Sequence, residues 1–126
     1  MAITGATLQE QIPRAITAHG VFKVKLGQLV ETGGKEMTVA MATSDNECPL
    51  GQWLYNGLDP AVKASEKYKA VVDFHAKFHR AAGEIVALSL ARKRDEALAA
   101  MEMGTTFKQM SAKLVVALTA WQDSLG

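Results

Sequence analysis

Three histidines and a single cysteine are the residues of this 126-residue chain best suited to chemistry. His75 and His79 stand four apart in His75-Ala76-Lys77-Phe78-His79. On a helix that spacing stacks two side chains one turn apart on the same face, so both imidazoles can reach one ion. His19 falls on the apolar three/four pattern of an earlier segment, and Cys48 opens Cys48-Pro49-Leu50-Gly51. Three neutral imidazoles and one thiolate fill the four positions of a tetrahedral zinc and leave one net positive charge. Sulfur and imidazole together disfavour magnesium and calcium. A carboxylate-bridged di-iron centre needs Glu-x-x-His pairs, and Asp73 and Glu84 do not supply that pattern.

Each of these residues also has a plainer reading. A buried histidine is usually a core residue bonded to a carbonyl, and a buried cysteine is usually a small hydrophobe. Three imidazoles on inward stripes, however, each cost desolvation unless they share a partner. Cys48 carries a second signal, because a thiolate at a helix start is favoured by backbone N–H groups and the dipole. Zinc lowers the thiol pKa further. A thiolate is also a nucleophile toward oxidants, so Cys48 is the expected redox-sensitive atom of the site. Two alternatives stay open: zinc that only staples the bundle, and zinc on three histidines with an open position for water and Cys48 outside. His-Glu-x-x-His, phosphate loops, nucleophile elbows and dinucleotide fingerprints are all absent, so no enzyme is expected.

These residues must be positioned by helices, because helical periodicity runs through three long stretches and strand signals are nearly missing. The first stretch spans about 11–32, with Pro13 expected in its first turn and Gly33-Gly34 as its stop. Gly20 and Gly27 inside it weaken the helix unless they permit close helix approach. Residues 33–47 read as a connector. Pro49 to Tyr55 reads as a short helix stopped at Gly57, and Asp59-Pro60 starts another that runs to about residue 65. The second long stretch spans about 66–91, with Tyr68, Val71, His75, Phe78, His79, Ala82 and Ile85 on one face. Asp95 is expected to cap a third that runs to about residue 124. Three long helices with short connections favour an antiparallel bundle whose fourth wall is filled in part by the helix at Cys48.

Length suits one domain over residues 1–126, and 48% apolar residues support a packed core. A net charge of +1 with scattered lysines and arginines excludes a nucleic-acid or anionic-membrane surface. No apolar run is long enough to cross a bilayer. A single cysteine rules out an internal disulfide, and the first residues carry no secretory signal, so a cytoplasmic location is expected.

In order along the chain, three segments resemble the chemoreceptor zinc-binding domain family of bacteria. His19-Gly20-Val21-Phe22-Lys23 is similar to that family's first motif, with Phe22 where tryptophan is usual. Cys48-Pro49-Leu50-Gly51-Gln52-Trp53 is similar to its Cys-x-Leu/Phe-Gly-x-Trp segment, and His75 to His79 matches its His-x-x-x-His helix. The resemblance spans about residues 10–123. It implies an all-α, antiparallel four-helix bundle with a short extra helix carrying the Cys ligand. It implies zinc held by His19, Cys48, His75 and His79, in a homodimer. It also implies regulation of a chemoreceptor or a diguanylate cyclase in response to zinc or to an oxidant such as hypochlorous acid.

Overall fold

The computed structural model describes residues 3–125, and among them there are helices and no strands. Three helices are long: α1 (Leu8–Thr32), α5 (Glu66–Leu90) and α7 (Thr106–Leu125). Four are short: α2 (Val39–Thr43), α3 (Pro49–Asn56), α4 (Pro60–Lys63) and α6 (Arg94–Ala99). The chain is an all-α bundle. Helices α2 to α4 occupy the stretch between α1 and α5, where an up-and-down bundle has its second long helix.

The core is divided into two apolar clusters, and their membership gives the helix directions. Ile12 and Ala15 of α1 pack with Trp53 and Leu54 of α3, Tyr68 and Val71 of α5, and Leu114, Leu118 and Trp121 of α7. Leu26, Leu29 and Val30 of α1 pack with Ala42 of α2, Phe78, Ala82, Ile85 and Val86 of α5, Ala97 of α6 and Phe107 of α7. Helices α1 and α5 therefore run parallel, and α7 runs antiparallel to both. His19, His75 and His79 fall at the middle of their helices, in the seam between the two clusters. An apolar seam on every side is what makes a polar cluster there costly unless its members satisfy one another.

Several boundaries differ from the sequence expectation, each for a local reason. Helix α1 begins at Leu8, so Pro13 lies inside it and not in its first turn. Thr7 accepts a hydrogen bond from the Glu10 N–H, and Glu10 Oε2 accepts one from the Ala6 N–H. This reciprocal cap sets the start and outweighs the one backbone bond that proline removes. The connector 33–47 contains α2, capped by Thr38, whose side chain accepts from the Met41 N–H. The expected third helix is two helices. Gly104 at φ 86° interrupts it in a left-handed conformation suited to glycine, and Thr105 Oγ1 then accepts from the Lys108 N–H at 3.4 Å. Asp95 stands inside α6, whose N-cap position is Lys93, with no side-chain capping bond.

The glycines of α1 do not serve close packing. A Cβ at Gly20 would meet nothing within 4 Å, and at Gly27 only the Met101 Cε at 3.8 Å. Gly20→Ala is therefore expected to stabilise the fold by about 0.4–1 kcal/mol, by removing unfolded-state freedom at a helical position. Thermal denaturation of the variant against the parent checks this. A fall in the midpoint would mean that space at Gly20 is used.

Candidate metal centre

The short helix α3 is built to present Cys48. Pro49 sits at its first position, where the missing N–H costs nothing, and Gly57 closes its end, with its N–H on the Trp53 carbonyl. Cys48 is the N-cap residue, and its Sγ accepts from the Gly51 N–H at 3.3 Å. A thiol sulfur thus takes the place that a serine or threonine oxygen usually fills. Gly51 is required at that turn, because a Cβ there would collide with the Asp45 backbone carbonyl. Gly51→Ala is expected to cost about 1–3 kcal/mol of stability. Displacing the turn that holds Cys48 should also weaken zinc binding by about 10–100-fold, as lost support of a metal ligand does. Urea denaturation and a zinc titration of the same variant measure the two effects.

Helix α5 brings the other two groups to the same point. His75 Nε2 lies 3.3 Å and His79 Nε2 3.4 Å from Cys48 Sγ. The two imidazole rings meet edge to face, with centroids 4.5 Å apart at 85°. One ligand atom from each of Cys48, His75 and His79 lies within 4.8 Å of the other two. His79 Nδ1–H donates to the Ala42 carbonyl at 2.9 Å. That bond fixes the tautomer and leaves the Nε2 lone pair facing the sulfur. The acceptor comes from α2, the helix that the connector expectation omitted. Helix α2 lies close on α5 because Gly83 leaves room for Thr43, whose side chain a Cβ at that position would strike.

The trio is unsatisfied by protein groups alone. The thiol can donate its one proton to only one of the two Nε2 atoms. His75 Nδ1 is, among the described residues, the one buried side-chain nitrogen or oxygen with no hydrogen-bond partner. A metal ion would take the lone pairs of Cys48 Sγ and of both Nε2 atoms at once. The spacing fits zinc. With Zn–S near 2.3 Å and Zn–N near 2.0–2.1 Å, a tetrahedron puts sulfur and nitrogen about 3.5 Å apart. The observed separations are 3.3 and 3.4 Å.

Electrostatics point the same way. Burial, with the neighbouring His79 and His19, pushes the His75 pKa down to about 2. Burial, with Lys23 and His79, takes His19 to about 3, and burial also lowers His79. All three imidazoles are neutral at physiological pH, the form that ligates metal. Burial raises the Cys48 thiol above its usual value, outweighing the N–H groups at the start of α3. The N–H groups do favour the thiolate, as the helix start led us to expect, but the partial burial of the sulfur weighs more. A bound cation supplies the charge that ionises it.

His19 faces the same seam from α1, with its ring centroid 4.5 Å from that of Phe78. It is 3% exposed, yet it is not one of the trio. Its Nε2 is 2.9 Å from Ser111 Oγ of α7, and Lys23 Nζ donates to the same oxygen at 3.1 Å. Ser111 was passed over in the sequence. The available signal was a lone hydroxyl on the stripe formed by Phe107, Leu114 and Leu118. Phe22 packs edge-on against the His79 ring, with centroids 4.8 Å apart. A groove of about 810 Å³ lined by Phe22, Met37, Met41 and Pro49 opens onto Cys48.

An all-helical bundle with two imidazoles and one cysteine sulfur converging in its apolar seam has the donor set of a zinc-binding domain. A family model described as the chemoreceptor zinc-binding domain matches residues 19–86, more than half of the chain. The chain belongs to that family, and zinc is its metal. No curated protein and no solved structure matches it. Among the described residues no helix is long and apolar enough to cross a membrane.

Proposed function

We propose that this chain, as one domain over residues 1–126, holds zinc through His19, Cys48, His75 and His79 and converts zinc occupancy or oxidation of Cys48 into a signal. The observation that carries this reading is the double role of Cys48. Its sulfur is within 3.4 Å of both Nε2 atoms, and it also lines an open groove. A small oxidant can therefore reach the atom on which the metal site depends. Zinc-bound thiolate is the reactive form of that sulfur, so the metal arms the same atom whose oxidation releases it. Oxidation to sulfenic acid removes the thiolate charge, and with it one tether between α3 and α5.

The signal passes to a chemoreceptor or a diguanylate cyclase in the bacterial cytoplasm, with the domain acting as a homodimer. Membership of the family supports the regulatory role, and the net charge of +1 gives no reason to expect a nucleic acid or a membrane as partner. The test is to add hypochlorous acid to the zinc-loaded protein, following zinc release with a chromogenic chelator and Cys48 oxidation by mass spectrometry. Release in step with oxidation of Cys48 is expected. Zinc that stays bound after Cys48 is fully oxidised would favour a structural staple instead.

A further inference from the structure

Ser111 stands outside the matched segment 19–86, on α7, and is buried to 2% exposure. Its hydroxyl is the meeting point of His19 Nε2 at 2.9 Å and Lys23 Nζ at 3.1 Å. Lys23 follows His19 by one helical turn, so both side chains leave the same face of α1. Lys23 can only donate, which makes Ser111 Oγ an acceptor toward it and turns the hydroxyl proton toward His19. In that chain of bonds the His19 Nε2 lone pair is taken by the Ser111 O–H, and the ring proton resides on Nδ1. Neither nitrogen of His19 is then free for a metal. Consistent with this, no nitrogen of His19 lies within 4.8 Å of all three ligand atoms of Cys48, His75 and His79.

We propose that Ser111 is a positioning residue that competes with zinc for His19. The proposal rests on His19 being the fourth ligand, and it adds what that ligand does when it is not on the metal. With zinc on the trio alone, His19 stays bonded to Ser111 and the fourth position is open. When His19 turns to the metal, it leaves Ser111. The two bonds at Ser111 are the only side-chain hydrogen bonds joining α1 to α7 among the described residues. Completing the zinc site therefore loosens the α1–α7 contact, and the competition couples metal occupancy to the packing of α7.

The test is zinc affinity of the full chain, measured by competition with a chromogenic chelator, for Ser111→Ala, His19→Ala and the double variant. Ser111→Ala removes the competitor and should bind zinc about three- to tenfold tighter, the worth of one hydrogen bond. That gain should vanish in the His19→Ala background, since the two residues act as one pair. Ser111→Thr keeps the hydroxyl and should stay within about twofold of the parent. Weaker or unchanged binding in Ser111→Ala, with His19→Ala clearly weakened, overturns the competition and leaves His19 a ligand. Unchanged binding in His19→Ala means that His19 is not a ligand, and both the four-ligand reading and the competition fail. A tighter Ser111→Ala whose gain survives in the double variant also overturns the proposal, because the effect then does not run through His19.

Discussion

His79→Ala should abolish zinc binding at micromolar metal while leaving most of the helix content. The expected loss of affinity is at least about 100-fold, since removing a group that merely supports a ligand already costs 10–100-fold. Two things disappear together in this variant. The Nε2 that faces Cys48 Sγ at 3.4 Å is gone, and so is the Nδ1–H that holds the Ala42 carbonyl of α2. His79 is 1% exposed, so the alanine leaves a cavity in the seam. The cavity should lower stability by a few kcal/mol, in the range of large-to-small core changes of about 2–5 kcal/mol. Helix content by circular dichroism separates an unfolded variant from a folded one without metal. A folded His79→Ala protein that titrates with zinc as the parent does would remove His79 from the site.

Acid should unfold the zinc-free protein well above the pH at which its own buried histidines titrate. The folded state holds His75 at a pKa of about 2 and His19 at about 3, and it lowers His79 as well. In the unfolded chain each returns to near 6.5. Below pH 6.5 the unfolded state binds protons that the folded state refuses, so stability falls as pH falls. Above pH 6.5 both states carry neutral imidazoles and this source of pH dependence vanishes. Each buried histidine contributes a slope of up to about 1.4 kcal/mol per pH unit between pH 6.5 and its folded pKa. His75 and His19 together, with His79 adding in the same direction, make that slope steep enough to unfold a domain at the low end of ordinary stability near pH 5. Urea midpoints of the zinc-free protein measured from pH 8 to pH 4.5 check this. A midpoint that is level from pH 6.5 down to pH 4.5 would mean that the histidines are not buried as neutral groups. Zinc shifts the whole curve, because bound metal excludes the same protons.

The parts of the site that local sequence sets were readable before the fold. Pro49 and Gly57 bracket α3, so the placement of Cys48 as its cap followed from residue types alone. The inward direction of His75 and His79 followed from the apolar stripe they share with Tyr68, Val71, Phe78 and Ile85. What was missed depends on either weaker local signals or distant contacts. Thr38 does cap α2, but five helical residues inside a polar connector give no periodicity to read. The break at Gly104 was hidden because α6 and α7 both carry apolar residues at helical spacing on its two sides. The Ser111 hydroxyl could not be connected to His19 from sequence, since the two lie 92 positions apart and meet only because α7 runs antiparallel to α1.

The central claim is that this seam holds one zinc ion. The most direct measurement is the metal content of the purified protein by elemental mass spectrometry, before and after dialysis against a strong chelator, for the parent and for Cys48→Ala. The expected result is one zinc per chain in the parent, lost on dialysis and regained on adding zinc, with Cys48→Ala holding markedly less. A folded parent that carries no zinc and takes up none when it is offered would contradict the claim.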